Sequence, residues 1–475
     1  MLFYSPEFVP FFLLVFLLYW LAPWQRIRTL ILLAASFYFY ASWSEWLALL
    51  IGVTSTFDYA IGRALDATQR PGLRKLLVVA SLVVNLSILA YFKYVNFFLD
   101  SLEASLQLAG VSVSWPTLSI ILPIGISFYT FEAINYTVDV YRRRVVAEKR
   151  LDHFLLFITF FPHLVAGPIV RARDFLPQIE SMKRWNWNRL QLGVNYFLLG
   201  LFKKLVLADR LAMAADPIFE APGDYKTAVV WIAMISYALQ IYCDFSGYSD
   251  MALGLAHSLG FKLTKNFDTP YVARNVSEFW RRWHISLSTW LRDYLFIPLG
   301  GSRGSRARTL LNLFLTMSLG GLWHGATWTF FVWGMLHGAF LSVHRLFQDA
   351  CANRPKLKSF LESRPGTSFR IATTFLAVCL GWVLFRATSF ELAWDFYERL
   401  FVPAYGAGSP MPTQGIFLLW AIVAVGHLWP TMPLIRRLPH TLWPTPVQGL
   451  GYAAVVVCLL VLIPEGARPF IYFQF

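Results

Sequence analysis

The stretch LLVVASLVVNLSILAYFKYVNFF, residues 76–98, decides the fold class, because its 23 residues carry a single charge, Lys93. A helix needs about 20 largely apolar residues to cross the hydrocarbon core of a bilayer, and this window meets that length. It is preceded by a basic segment, 63–75, with Arg63, Arg70, Arg74 and Lys75, and followed by 99–116, which has no Lys or Arg. The bias of basic residues toward the cytoplasm therefore places the start of this span inside and its end outside.

Working outward, similar windows occur at 6–23, 29–43, 46–62, 117–140, 190–213, 227–258, 309–326, 329–346, 371–387, 414–433 and 445–463. They predict an all-α polytopic membrane protein of ten to thirteen spans, read as one integral-membrane domain over 1–475 with a core near 117–346 and C-terminal helices over 371–475. The charge alternation continues along the first part of the chain. Residues 1–5 and 43–46 carry no basic side chain, whereas Arg26 and Arg28 follow the first span and Arg142, Arg143, Arg144, Lys149 and Arg150 follow the fifth. The N-terminus is thus expected to face outward and the basic loops to face the cytoplasm. The run Phe8–Leu21 has no Lys or Arg ahead of it and no small-residue cleavage site, so it reads as a retained span.

Composition agrees: 57% of the 475 residues are apolar and 14% charged, against roughly 45–50% and 25% in soluble domains. Mean hydropathy is +0.52. These values exclude a chain of soluble domains, a disordered chain, a coiled coil and a small secreted scaffold. In a soluble protein the net charge of +14 would suggest nucleic acid. Here the basic residues lie between apolar spans, where they set orientation and meet anionic headgroups. Cys243, Cys351, Cys379 and Cys458 form no C-x-x-C pair and read as small apolar residues.

One segment breaks the in-and-out pattern. LDHFLLFITFFPHLVAGPIV (151–170) lies between the 142–150 cluster and Arg171/Arg173 and contains Pro162, Gly167 and Pro168. A basic flank at both ends predicts a broken, re-entrant helix beside a cavity open to the cytoplasm. His163 either lines that cavity or packs beside it.

Three stretches carry chemistry. In EFWRRWHISLSTWLRDY (278–294), a continuous helix would put Glu278, Arg281, His284, Ser288 and Arg292 on one polar face, with Trp280, Trp283, Leu287, Trp290 and Tyr294 as an aromatic stripe. Such a helix belongs at a membrane interface; the plain alternative is an amphipathic linker with a solvated face. In SLGGLWHGATW (318–328), His324 lies at membrane depth, where an ionisable group is a functional candidate and a neutral imidazole can accept a proton. The competing role is a core histidine bonded to a carbonyl. In DFSGYSD, Asp244 and Asp250 sit at the inner end of an apolar span, followed by Asn266 and Asp268; they read as structural or cavity-lining groups. Glu132, Asn135 and Asp139 form a further polar face, read as helix–helix hydrogen bonding. His337 and His344 read as packing residues. The sequence has no Walker loop, G-x-S-x-G elbow or H-E-x-x-H, and neither His284 nor His324 has the spacing partner of a zinc site, so no metal is expected.

LPIGISFYTFEAINYTVDVYR (122–142), FPHLVAGPIVR (161–171), YCDFSGYSDMALGL (242–255), EFWRRWHISLSTWLRDYLFIPLGG (278–301) and LGGLWHGATWTFFVWGMLHG (319–338) resemble the membrane-bound O-acyltransferase family. More narrowly they resemble its bacterial alginate O-acetyltransferase branch. The likeness runs from Met1 to about Arg386, and the ending PFIYFQF (469–475) also suits that branch. The resemblance implies a helical bundle with re-entrant or interfacial helices around a tunnel joining the two membrane faces. It makes 117–346 the catalytic core, His324, in Trp323-His324-Gly325, the essential histidine and His284 the second signature position. It implies acetyl-coenzyme A or another acetyl thioester as donor, no tightly bound cofactor, an exported alginate-like or cellulose-like polysaccharide as acceptor, and periplasmic acetyltransferase partners beside an export machinery.

The expected reaction is general-base catalysis by His324 on an acceptor hydroxyl, with His284 orienting the donor or stabilising the oxyanion. Arg281, Arg282 and Lys265 are candidates for the donor phosphates by charge and predicted side. Trp323, Ser288, Asp244, Asp250 and His163 complete the candidate set. Two rival readings stand beside this one: a transporter of polysaccharide or lipid-linked sugar, and a noncatalytic scaffold of an export complex.

Overall fold

The computed structural model describes residues 1–428, 445–462 and 468–471. It is helical nearly throughout; among the described residues the β content is an isolated parallel bridge between Tyr225 and Ala407. Contacts divide the chain into two units, Met1–Phe197 with Tyr248–Thr264 and Leu198–Gly247 with Lys265–Phe475.

The helices are α1 (Phe8–Leu21), α2 (Gln25–Ala41), α3 (Glu45–Ala67), α4 (Pro71–Leu89), α5 (Val95–Leu108), α6 (Ile126–Tyr141), α7 (Leu151–Thr159), α8 (Phe161–Leu164), α9 (Ala172–Glu180), α10 (Trp187–Leu201), α11 (Asp209–Glu220) and α12 (Thr227–Ser258). They continue as α13 (Val276–Arg282), α14 (Ile285–Leu291), α15 (Arg306–His324), α16 (Trp328–Ala352), α17 (Pro355–Glu362), α18 (Arg364–Arg386), α19 (Phe390–Phe401), α20 (Thr413–Leu428) and α21 (Thr445–Leu462). Among the described residues, four helical stretches are long and apolar enough to cross a membrane: Pro71–Leu108, Trp187–Glu220, Thr227–Ser258 and Arg364–Arg386. Phe8–Leu21, Thr413–Leu428 and Gly449–Leu459 are shorter apolar helices. The protein is an all-α, multi-pass membrane protein.

The window 227–258 coincides with α12, and 309–326 and 329–346 fall on α15 and α16. The deciding stretch 76–98 runs on from α4 through a π-turn, Ala90–Tyr94, into α5. Pro71 opens α4, where its missing N–H costs nothing. The window 117–140 is corrected: helix begins only at Ile126, because Pro123 and a left-handed Gly125 (φ 75°) precede it. Residues 429–433 and 463 of the last two windows, and 472–475 of the closing PFIYFQF, lie outside the described residues.

In the first unit, every residue from Leu156 to Ala172 is buried. Irregular backbone at membrane depth needs such a protein cover, and here α6 supplies it. Val170 N–H donates to Glu132 Oε1 (2.8 Å), Asn135 Nδ2 donates to Val170 O (2.9 Å), and His163 Nδ1 lies 3.2 Å from Glu132 Oε1. The polar face of α6 thus bonds the backbone of the broken segment, where helix–helix bonding was expected. A second buried network joins α3 to α4: the Asp58 carboxylate accepts from Ser81 Oγ (2.6 Å) and from Asn85 Nδ2 (2.9 and 3.0 Å).

Candidate active site

The second unit assembles the site from a break in the chain where the sequence reads as one helix. Asn275 caps α13 by accepting from Glu278 N–H (2.8 Å). The helix ends at Arg282, Trp283 is extended, and His284 is left-handed (φ 43°, ψ 56°) before α14 starts. Glu278, Arg281, His284, Ser288 and Arg292 therefore do not share one face. Trp283 and Trp290 are buried inside the protein.

A left-handed residue with a Cβ costs about 1–2 kcal/mol, and Asn266 holds this one in place. Asn266 Oδ1 accepts from Ser286 N–H (3.2 Å) and Ser286 Oγ (2.8 Å) and lies 3.3 Å from His284 Nδ1, while Asn266 O accepts from Ile285 N–H (2.9 Å). The backbone N–H of Ser286 can only donate, so the amide atom facing it is the oxygen. That oxygen can only accept, so His284 carries its proton on Nδ1 and presents the Nε2 lone pair. His284 is fully buried, edge-on to Phe245 at 4.7 Å between ring centroids. Burial disfavours its charged form and pushes its pKa down to about 3.

His324 is the last residue of α15 and is also buried. Its ring centroid lies 6.4 Å from that of His284, and Trp323 stands against both, at 5.9 Å from His284 and 5.0 Å from His324. Trp333 of α16 (5.2 Å) and Phe385 of α18 (5.4 Å) complete an aromatic box. Gly325 follows directly, and a Cβ there would strike the Phe330 ring. The geometry is two imidazoles side by side in a water-poor enclosure, one with its tautomer set by an amide oxygen. Such a pair can accept a proton, and the His284 Nε2 lone pair can accept a hydrogen bond from a bound group.

The remaining candidates fall elsewhere. Ser288 Oγ donates to Trp283 O (3.2 Å) and secures the first turn of α14. Arg282 is committed to Glu278 (2.9 Å), Asp268 O (3.1 Å) and Thr269 Oγ1 (3.2 Å), and Lys265 Nζ to Asp268 Oδ1 (2.8 Å), while Arg281 is exposed. Burial alone raises the Glu278 carboxyl, but hydrogen bonds from Arg274 and Arg282 outweigh it and hold the group at about 2. Asp244 Oδ1 pairs with Lys204 (2.8 Å), which also pairs with Asp209 (2.9 Å), and Asp244 Oδ2 accepts from Ile471 N–H (2.7 Å). It belongs to a buried ionic triad. Asp250, half-buried on α12, and His163 belong to the first unit.

Trp333, Phe385 and Phe245 are absent from the sequence candidates, because an aromatic in an apolar span carries no local mark of a site. Lys204 does carry one: Lys203 and Lys204 interrupt the apolar window 190–213.

A polytopic helical protein that buries two imidazoles edge to edge among aromatics has the build of a membrane-embedded group-transfer enzyme. The chain belongs to the MBOAT, membrane-bound O-acyltransferase, family, whose pattern matches residues 150–384 and so includes both histidines. It is an O-acyltransferase. Over 404 residues it is 46% identical to a probable alginate O-acetylase of Azotobacter vinelandii, spanning 84% of this chain and 78% of that one. It is 40% identical to a probable alginate O-acetylase of Pseudomonas putida over the full length of both chains. A peptidoglycan O-acetyltransferase of Helicobacter pylori is 38% identical over 393 residues, 76% of this chain and 71% of that protein.

Proposed function

We propose that this protein takes an acetyl group from a cytoplasmic thioester, acetyl-coenzyme A or another carrier, and passes it across the inner membrane for O-acetylation of an exported polysaccharide. The observation that carries the reading is the apposition of His284 and His324, 6.4 Å apart inside the aromatic box. The relatives named for O-acetylation of alginate and peptidoglycan support a glycan as acceptor.

His324 acts as general base. It takes the proton of the acceptor hydroxyl as that oxygen bonds to the thioester carbonyl carbon; collapse of the tetrahedral species breaks the C–S bond, and the thiolate takes the proton back. His284 orients the donor, its Nε2 lone pair accepting from an N–H or O–H of the thioester carrier; with its proton on Nδ1 it has none to give an oxyanion. Arg281, Arg282 and Lys265 face the donor phosphates, the latter two exchanging their present carboxylate and carbonyl partners for phosphate oxygens. Exclusion of water by the box limits loss of thioester to hydrolysis. The N-terminus lies on the periplasmic side, and periplasmic acetyltransferases with an export machinery take the product onward.

The test is the acetyl-ester content of exported polysaccharide, by mass spectrometry, in cells carrying wild-type protein or His324→Ala, with membrane abundance checked by blotting. Ester content collapses while polymer export continues. Unchanged ester content makes His324 a packing residue and sinks the mechanism; loss of the polymer itself would favour a transporter or scaffold.

A further inference from the structure

We infer that Glu148, His153 and Glu180 form a binding site for a divalent transition-metal ion, zinc fitting best, that ties the C-terminal end of α9 to the start of α7. The three residues come from the loop before α7, from α7 itself and from the last position of α9. One ligand atom from each lies within 4.8 Å of the others.

His153 demands an explanation. It is 3% exposed, and neither of its ring nitrogens has a hydrogen-bond partner among the described residues. Buried imidazoles without partners are rare, and an ion is one of the few things that satisfies them. Its Nδ1 lies 3.9 Å from Glu148 Oε1. That separation is too long for a hydrogen bond. It does suit two ligands of one ion, which at about 2.0–2.1 Å each lie at most about 4.2 Å apart.

The charges point the same way. Glu148 is buried beside His153, and its Oε1 accepts the Arg150 backbone N–H (2.8 Å). The Arg150 guanidinium is turned to Asp152, through Nε to Oδ1 (3.1 Å) and Nη2 to Oδ2 (2.5 Å). Among the described residues, neither Glu148 nor Glu180 has a Lys or Arg within ion-pair distance. Two carboxylates and a neutral imidazole carry two negative charges, which a divalent cation balances. One nitrogen and two oxygens, with water in a fourth position, suit zinc better than magnesium or calcium, which favour all-oxygen shells. Glu180 is exposed at a helix end, so it can close the remaining gap by rotation. Sequence spacing hides the site, because Glu180 lies far along the chain from the other two.

The test uses full-length protein in detergent, with any affinity tag removed, stripped with chelator and dialysed against zinc chloride. Bound zinc is read by mass spectrometry of the metal, and the melting temperature is read in parallel. Wild type takes up one equivalent at micromolar zinc and melts several degrees higher with it. His153→Gln and Glu180→Gln lose both effects, while His324→Ala keeps them. Glu180→Gln alters an exposed side chain, so its fold is not at issue if His153→Gln expresses poorly. Wild-type uptake no greater than that of Glu180→Gln overturns the site, leaving His153 to a buried water.

Discussion

At the scale of the residue, the reaction depends on which nitrogen of His284 carries a proton, and Asn266 decides that. One amide oxygen faces His284 Nδ1 and binds both the backbone N–H and the hydroxyl of Ser286, so tautomer and left-handed backbone are set together. Asn266 is thus a positioning residue, acting through His284. Asn266→Leu removes the acceptor and leaves buried donors unsatisfied, at about 1–3 kcal/mol, equivalent to roughly fivefold to 150-fold in rate. The loss is expected in kcat with KM for the thioester little changed, in acetyl transfer by purified protein. Asn266→Asp keeps an acceptor oxygen and recovers part of the rate. Equal losses in the two variants would assign Asn266 to packing alone.

At the scale of the element, α6 and the broken segment it covers form one device. Gly125 at the N-terminus of α6 has φ 75°, and a Cβ on it would strike the carbonyl of Leu164. Gly125→Ala therefore combines left-handed strain of about 1–2 kcal/mol with a clash against backbone, and its melting temperature falls by several degrees. Gly72→Ala is the contrast: it lies in the first turn of α4 with open space around it. Alanine there stabilises by about 0.5–1 kcal/mol, so a fall in both would remove the Leu164 contact from the explanation. Elements of this kind mark what the sequence makes legible. Pro162, Gly167 and Pro168 between two basic clusters announce a broken helix, because they are local breakers. The break at Trp283–His284 has no Pro or Gly to announce it: W-H-I-S is middling helix sequence, and Asn266, 18 residues earlier, competes for its backbone. Tertiary hydrogen bonds override local propensity there, so the two signature histidines are recognisable in the sequence while their apposition is not.

At the scale of the whole molecule, the apolar windows give the polytopic class directly, since a bilayer imposes length and hydropathy on every span. They say much less about how buried charge is balanced. In the second unit, Lys204, Arg386 and Arg468 face Asp209, Asp216 and Asp244: Lys204 pairs with Asp209 (2.9 Å) and Asp244 (2.8 Å), and Arg386 (3.3 Å) and Arg468 pair with Asp216. Three cations thus meet three carboxylates drawn from α11, α12, α18, the π-turn Phe202–Ala208 and the segment 468–471, which the sequence separates by more than 200 residues. Asp244 reads in isolation as a structural or cavity-lining carboxylate, and the sequence does not name its partner because Lys204 lies on another element. A balanced buried cluster contributes little net stability, whereas an unbalanced one is costly, since breaking a buried pair exposes an uncompensated charge at about 3–5 kcal/mol. Lys204→Met is therefore expected to lower the melting temperature of the detergent-solubilised protein sharply. Adding Asp209→Asn to Lys204→Met leaves two cations facing two carboxylates and restores most of the loss, although each change alone is destabilising. A double variant that melts lower than Lys204→Met would show that these side chains matter for their packing and that charge balance does not couple these distant segments.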